Sequence, residues 1–280
     1  MATTSTFKPE TLDVPGASLY YEVRGSGPVL LMMPGGPADA TTFRRIENDL
    51  AKRYTVVTYD PRGLSHTKVT EPIDDSRMVQ IFADDVHRLL AKLSDSKACV
   101  FASSGGASIA LELVVRHPDQ LDKVIVHEPP TPALLPNTAE VRAGMEDVCD
   151  TCAKEGLWPA MAKFMTLVGI EGGPPPAQEG EPTPEALEAM AMMQRNMEFF
   201  FGRYIRNIAR YEPDFAALKA SPCRIIPAVG EESKGQLAHN GALGLAKRLG
   251  TRAVVFPGDH GGFDGRPVEF AAKVREVLEG

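Results

Sequence analysis

The chain has 280 residues, of which 43% are hydrophobic and 24% are charged, and its formal net charge at pH 7 is −7. These values are ordinary for a soluble globular protein, and the length is enough to bury one α/β core with a sizeable insertion. The acidic balance argues against nucleic acid or an anionic membrane as the main partner.

The first ten residues are polar and contain no apolar segment of the kind that secretory signals carry. Further along, no apolar run is long enough to span a bilayer. We therefore expect a cytoplasmic protein with no membrane partner.

Apolar runs typical of strands recur along the chain between segments with helical spacing. The predicted strands cover residues 18–23, 29–33, 54–59, 124–127, 224–229 and 253–256, with one more running from 99 towards Ser104. The predicted helices cover 44–52, 76–93, the segment that follows Ser104 as far as 117, and 267–278. This alternation is the order expected of a mostly parallel sheet flanked by helices.

Between about residues 130 and 215 the alternation stops, and the sequence becomes helical and rich in methionine. Proline and glycine clusters at 171–176 and 179–184 mark loops there, because neither residue continues a helix well. We predict a helical cap domain over 130–215, inserted into a core domain formed by 1–129 and 216–280. The cap is expected to cover the carboxyl edge of the strands, where ligands bind in open α/β sheets.

Apolar side chains crowd one helix of this predicted cap. Met193, Met197 and Phe200 are among them, and Trp158 is the only tryptophan of the chain. Part of this surface has to pack on the core. The rest would form an adaptable apolar pocket, so these four residues are the predicted substrate contacts.

The segment Ala102-Ser103-Ser104-Gly105-Gly106 lies where a predicted strand turns into a helix. A small residue stands two positions before and two positions after Ser104, as in the G-x-S-x-G nucleophile elbow, with alanine in the first small position. Such an elbow holds its serine in a strained backbone conformation and tolerates no larger neighbours. Ser104 is therefore the predicted nucleophile, although an ordinary tight turn or an anion-binding loop has a similar composition.

A serine nucleophile needs a base and hydrogen-bond donors for the oxyanion. His260 lies in a glycine-rich loop after the last predicted strand and can exchange protons near neutral pH, so it is the predicted base. The N–H of Gly105, directly after the nucleophile, is one predicted oxyanion donor. The second comes from the loop after strand 29–33, where Gly35 and Gly36 both remain open because the flanking prolines have no N–H.

The acid that orients the base has two candidate places. After strand 224–229 the sequence reads Gly-Glu-Glu-Ser, which offers Glu231 or Glu232 only if the loop shifts. After strand 124–127 stands Glu128, at a strand end that points to the same edge of the sheet. The residues alone leave both places open.

The elbow, the turn at 60–63 and the late Gly-Asp-His-Gly loop together resemble the α/β-hydrolase superfamily over nearly the whole chain. One group of this superfamily, the zearalenone lactonases, which open a macrolide ring, is particularly similar. Its Ser-Ser-Gly, His-Glu-x-Pro and Pro-Gly-x-His motifs match residues 103–105, 127–130 and 257–260. The resemblance implies an α/β-hydrolase fold with a mostly parallel eight-stranded sheet and an inserted helical cap.

The resemblance also implies roles for single residues. Ser104 precedes His260 in the order that the superfamily uses for its triad, and the similarity to zearalenone lactonases favours Glu128 as the acid. Many relatives carry an aspartate where Ser233 stands here. Aligning the oxyanion loop favours Gly36 as the second donor, with Pro34 in place of the usual histidine.

We expect an enzyme without metal or cofactor that cleaves a carboxylic ester or lactone through an acyl-enzyme. Its partner would be a hydrophobic small-molecule ester or lactone, and the sequence is compatible with a homodimer. The same residues could instead cleave a C–C bond of a diketone-like compound. The fold could also serve as a non-catalytic receptor for a small ligand.

Overall fold

The computed structural model describes residues 7–170 and 183–280. The predicted loop at 171–176 and most of the predicted loop at 179–184 lie outside these residues. Within the described ranges, no helix is both long and apolar enough to cross a membrane.

A nine-stranded sheet forms the centre of the described structure. Its strands are β1 (Lys8–Val14), β2 (Ala17–Arg24), β3 (Val29–Met33), β4 (Thr55–Tyr59), β5 (Lys68–Val69), β6 (Ala98–Ser103), β7 (Leu121–His127), β8 (Arg224–Gly230) and β9 (Val254–Phe256). Eight of them lie in the order β1-β2-β4-β3-β6-β7-β8-β9, and β5 pairs with β2. The pairs that β2 makes are antiparallel and the other pairs are parallel, which confirms the predicted α/β-hydrolase fold with its mostly parallel sheet.

Helices cover both faces of the sheet, so β3 and β6 consist entirely of buried residues. The helices are α1 (Arg44–Leu50), α2 (Met78–Leu93), α3 (Gly105–Arg116), α4 (Thr138–Glu155), α5 (Leu157–Val168), α6 (Pro184–Phe199), α7 (Ile205–Arg210), α8 (Phe215–Ala220), α9 (Leu237–Leu249), α10 (Gly262–Gly265) and α11 (Pro267–Glu279). Leu30 and Phe101 belong to one buried cluster with α1 and α11. Leu31 and Val100, which point to the other face, belong to a cluster with α2 and α3.

Helices α4 to α7 lie in the chain between β7 and β8. A π-helical turn, Phe200–Tyr204, connects α6 to α7 without a break. Apolar side chains of this segment, including Met145, Phe201 and Ile208, join the cluster that contains α2 and α3. The segment therefore packs onto the core through a continuous apolar contact. The division into a core of 1–129 and 216–280 and a cap of 130–215 stays a prediction.

Two strands at the β2 side of the sheet do not appear among the predicted elements. β1 pairs with β2 in a hairpin, and most of its side chains are exposed or half-buried. β5 contains only two residues, both exposed. Neither strand has the apolar pattern by which a strand is recognised in a sequence.

Candidate active site

Ser104 occupies the turn between β6 and α3 with an unusual backbone conformation. Its φ is +56° and its ψ is −128°, a region that side chains other than glycine rarely adopt. The N–H of Ser104 donates to the carbonyl of His127 at 2.9 Å, and its own carbonyl accepts from Ala107 at 2.9 Å. Hydrogen bonds to β7 and to α3 thus hold the strained turn in place. This is the geometry that the small residues around Ser104 predict.

Glu128 and His260 meet although they are far apart in the chain. A hydrogen bond of 2.6 Å joins Nδ1 of His260 to Oε2 of Glu128. Glu128 directly follows β7, is fully buried and has a φ of +50°. His260 lies in the loop between β9 and α10. An imidazole bound to a buried carboxylate through Nδ1 keeps its Nε2 free to accept a proton.

The second carboxylate oxygen of Glu128 is held from β8. The N–H of Gly230 donates to Oε1 at 2.8 Å, and the hydroxyl of Ser233 donates to the same oxygen. His239, on α9, lies 3.2 Å from the Ser233 hydroxyl and 3.6 Å from Oε1, measured from its Nδ1. Burial alone would raise the pKa of Glu128, but the hydrogen bond with His260 and the neighbouring imidazoles outweigh it and lower the pKa to about 2. The carboxylate is therefore ionised at neutral pH.

The alternative acids lie outside this arrangement. Glu231 and Glu232 are exposed, and both form ion pairs with Arg266. Ser233 donates a hydrogen bond to the Glu128 carboxylate. No sequence pattern indicates this contact of Ser233, because a lone serine after a strand has many uses.

Ser104 and His260 line the same cavity, which has a volume of about 260 Å³. Near these two residues, His260 is hydrogen-bonded to Glu128, and Ser103, which precedes Ser104, is hydrogen-bonded to His127. Within residues 7–170 and 183–280 the Ser104 hydroxyl forms no side-chain hydrogen bond. Contacts between nucleophile and base often tighten only when substrate binds.

Gly36 and Gly105 both line this cavity. Gly105 is the first residue of α3, so its N–H has no acceptor within the helix. A Cβ placed on Gly35 would lie 2.6 Å from Cβ of Ser104, which shows how closely the loop after β3 approaches the elbow. In the described part of the chain, the N–H of Gly36 has no backbone acceptor. Both N–H groups are available to a ligand oxygen.

Apolar side chains form most of the cavity wall, and several come from helices between β7 and β8. The large apolar side chains are Met145, Phe164, Val168, Ile170, Phe200, Ile205, Ile208 and Phe263. The polar side chains are Thr42, Ser103, Ser104, Tyr204, Gln236 and His260. No Asp, Glu, Lys or Arg is among the described residues that line the cavity. The wall suits an uncharged, hydrophobic ligand.

The structure brings only one of the four predicted substrate contacts to the cavity. Phe200 lies in the wall, beside Phe164 at a ring-centroid distance of 5.5 Å. Trp158 is 68% exposed on α5 and Met193 is 52% exposed on α6, both on outward faces of their helices. Met197 is partly buried and packs against the apolar cluster without lining the cavity. Methionine content marks the right segment but not the helix face that turns inward.

Beneath the elbow, Ser103 and His127 form a buried polar pair. The Ser103 hydroxyl lies 3.1 Å from Nδ1 of His127, whose other ring nitrogen has no partner among the described residues. His127 is fully buried among Phe101, Phe256 and Phe270. This burial lowers the pKa of His127 to about 4, so its ring is neutral at pH 7.

Comparison with known proteins identifies relatives of this chain. Residues 28–148 match a family model described as alpha/beta hydrolase fold. A Bacillus subtilis (strain 168) protein named uncharacterized hydrolase YraK is 38% identical over 275 residues, which cover 96% of this chain and 95% of that protein. A zearalenone hydrolase of Bionectria ochroleuca is 27% identical over 281 residues, which cover 96% of this chain and 97% of that protein. The second match confirms the predicted resemblance.

Among solved structures, the enol-lactonase from Burkholderia xenovorans LB400 superimposes with a TM-score of 0.68. The superposition covers 97% of this chain and 100% of that chain, at 18% sequence identity. At this identity the similarity concerns the fold, and it extends over the whole arrangement of strands and helices.

Proposed function

Because the chain belongs to the α/β-hydrolase family, we propose that it hydrolyses a carboxylic ester or lactone of a hydrophobic small molecule, with Ser104, His260 and Glu128 as catalytic triad. The observation that carries this proposal is the 2.6 Å hydrogen bond between His260 and the buried Glu128, beside the cavity that Ser104 also lines. This hydrogen bond orients an imidazole at the cavity that also holds a serine in a strained turn, which supports a base and a nucleophile in one site.

In the proposed reaction, Oγ of Ser104 attacks the carbonyl carbon and its proton passes to Nε2 of His260. The electron pair of the C=O bond moves onto oxygen, where the N–H groups of Gly36 and Gly105 bind it. The bond to the leaving oxygen then breaks, and that oxygen takes the proton from His260. An acyl group remains on Ser104.

Water completes the proposed reaction. His260 takes a proton from the water as its oxygen attacks the acyl carbon, and the proton returns to Oγ of Ser104 when the acid leaves. With a lactone, the alcohol and the acid are parts of one molecule, so the product is a single hydroxy acid. Glu128 stays ionised throughout and balances the charge of the imidazolium.

The proposed substrate class follows from the cavity wall. An apolar lining without Asp, Glu, Lys or Arg among its described residues favours an uncharged substrate. The names of two similar proteins, a zearalenone hydrolase and an enol-lactonase, agree with a lactone. We also propose that residues 130–215 act as the cap that supplies most of this wall.

A fluorophosphonate probe tests the proposed nucleophile. The wild-type protein should be labelled on Ser104, as located by peptide mass mapping. Ser104→Ala should lose the label, while Ser103→Ala keeps residue 104 and serves as the matched control. Folded wild-type protein that stays unlabelled contradicts the proposal and favours a ligand receptor.

Substrate panels then separate the reactions. Neutral p-nitrophenyl esters and macrocyclic lactones should be hydrolysed by the wild type and not by Ser104→Ala. If Ser104 is labelled but only diketone-like compounds are cleaved, the protein is a C–C hydrolase and the ester proposal is wrong.

A further inference from the structure

Tyr204 is the last residue of the π-helical turn that connects α6 to α7. Its side chain is only 4% exposed, yet it lines the cavity that contains Ser104 and His260. Its ring packs against Phe82 and Phe200 at centroid distances of 6.0 and 5.9 Å. A π-helical turn inside a longer helix is often found at functional sites. Here it brings one tyrosine to the cavity.

The phenol of Tyr204 lies directly against Gly105. A Cβ placed on Gly105 would lie 2.7 Å from the Tyr204 hydroxyl oxygen and 2.7 Å from its Cε1. Any side chain at position 105 would therefore collide with the ring. Glycine is thus required at this position by the packing of Tyr204 as well as by the turn itself. The hydroxyl reaches the residue whose N–H we propose as an oxyanion donor.

The hydroxyl of Tyr204 has no hydrogen-bond partner among the described residues. It is also the only polar side chain that the segment 130–215 contributes to the described cavity wall. Burial raises the pKa of Tyr204 above its ordinary value, so the hydroxyl keeps its proton at neutral pH. The hydroxyl belongs to a residue of the cavity wall, so a ligand oxygen in the cavity can accept its hydrogen bond.

We propose that the Tyr204 hydroxyl donates a third hydrogen bond to the carbonyl oxygen of the substrate, beside the N–H groups of Gly36 and Gly105. This inference rests on the proposed ester or lactone hydrolysis and adds a residue to it. Tyr204 keeps its proton, and the hydrogen bond strengthens as negative charge develops on the oxygen. The oxyanion site then includes a donor from the helical segment between β7 and β8.

The test compares Tyr204→Phe with Tyr211→Phe. Tyr211 is also buried but does not line the cavity, so its variant controls for the loss of a buried hydroxyl. Since removing one oxyanion donor typically costs about 10²–10³-fold in kcat, we expect Tyr204→Phe to lose at least about 10-fold with little change in KM. Tyr211→Phe should keep its kcat.

A trifluoromethyl ketone distinguishes oxyanion binding from packing. It forms a tetrahedral adduct with the nucleophile, whereas the matching methyl ketone binds mainly without one. Tyr204→Phe should weaken binding of the trifluoromethyl ketone by the same factor by which it lowers kcat/KM. Binding of the methyl ketone should stay unchanged. Fluorine NMR of the adduct should also show a higher pKa for its hemiketal oxygen in the variant.

Three results overturn the inference. Unchanged kcat and unchanged trifluoromethyl ketone affinity in Tyr204→Phe would show that the hydroxyl does not bind the oxyanion. Equal weakening of both ketones would assign Tyr204 to packing. In both cases fluorophosphonate still labels Ser104, and the proposed function stands. Wild-type protein without that label overturns the proposed function and this inference together.

Discussion

Glu128 uses its two carboxylate oxygens for different purposes. One binds His260, and the other accepts hydrogen bonds from Gly230, at the end of β8, and from Ser233, in the loop that follows. The three hydrogen bonds around this buried charge, above all the one with His260, help to hold the pKa of Glu128 far below its ordinary value despite burial. The same contacts fix the direction in which the carboxylate points.

Replacing this charge should affect catalysis more than folding. We expect Glu128→Gln to lower kcat about 10³–10⁴-fold. The imidazolium formed during the reaction loses its balancing charge, and His260 is no longer held in the tautomer that accepts a proton at Nε2. Glu232→Gln, on the exposed ion pair with Arg266, should stay within about 2-fold of the wild type, as is usual for a surface site. Ester hydrolysis by the purified variants measures both. The reverse ranking would transfer the role of the acid to Glu232.

His127 should make the stability of the protein depend on pH. Its pKa is about 4 in the folded state and ordinarily 6.5, so the unfolded chain binds a proton more readily. The stabilisation from a neutral His127 is complete above pH 6.5 and is lost as the pH falls towards 4. This difference corresponds to about 3 kcal/mol in the free energy of unfolding.

The variant His127→Phe should remove this dependence. The wild type should lose about 3 kcal/mol more than the variant between pH 6.5 and 4, as measured by urea unfolding at several pH values. His87→Phe, at a partly buried position on α2, controls for the loss of a histidine elsewhere. Parallel stability curves for the wild type and His127→Phe would show that His127 does not titrate in this window.

At the level of elements, a buried side chain of α6 contacts the loop that follows β3. Asn196 is 2% exposed and donates from Nδ2 to the carbonyl of Pro37 at 3.1 Å. It also donates to the Ser65 hydroxyl at 2.8 Å and accepts from the Ser65 N–H at 2.9 Å. Pro37 follows Gly36, so this contact holds the loop whose N–H we propose as an oxyanion donor.

Removing this contact should cost both stability and activity. We expect Asn196→Ala to lower the free energy of unfolding by about 1–3 kcal/mol, because it leaves buried partners without hydrogen bonds. The value of kcat should also fall, because Gly36 loses its support. Gln194→Ala, on the exposed side of α6, should change stability by no more than about 0.5 kcal/mol. Chemical denaturation and ester hydrolysis report the two effects, and similar behaviour of both variants would contradict this interpretation.

The elements that carry the site could be predicted from sequence better than those that support it. The strand, elbow and helix around Ser104 follow from small residues at fixed spacing, and the structure has them there. Helix α9 was not among the predicted elements, since Gly241 and Gly244 weaken its helical pattern. A Cβ at either position would lie 2.0 Å from a backbone carbonyl oxygen of 129 or 134, so close packing requires both glycines. A packing contact with residues more than 100 positions away in the chain cannot be recognised from the local sequence.

The same limit applies to the site. Single residues in special loops, such as His260 and Glu128, could be proposed from motifs and from a family resemblance. Tyr204 and Ser233 could not, because their positions depend on how the helical segment packs and on the pairing of β7 with β8. Pairs of distant residues are determined by tertiary contacts, which a periodic pattern does not encode.

At the scale of the whole molecule, charged side chains are absent from the described wall of the cavity. The chain has a net charge of −7, while the described cavity wall has no Asp, Glu, Lys or Arg. An anionic group on the substrate would thus meet an acidic protein and an apolar wall without a counter-ion.

Substrate charge should therefore decide turnover. We expect kcat/KM for an ester whose acyl chain ends in a carboxylate to be about 10²-fold lower than for the methyl-terminated ester of equal length, because the charge has to be buried without a partner. Parallel assays with the two p-nitrophenyl esters measure this ratio. A carboxylate ester that reacts as fast as the neutral one would point to a cation near the cavity.

The contact between Glu128 and Ser233 means that one negative charge is within reach of two strands. A carboxylate at position 233 would lie close to the same point in space, so the acid could be attached after either of two neighbouring strands without moving the histidine. A chain with carboxylates at both positions would have two closely spaced acids that share a proton. The location of the acid beside the imidazole is thus separable from the place in the chain to which the acid is attached.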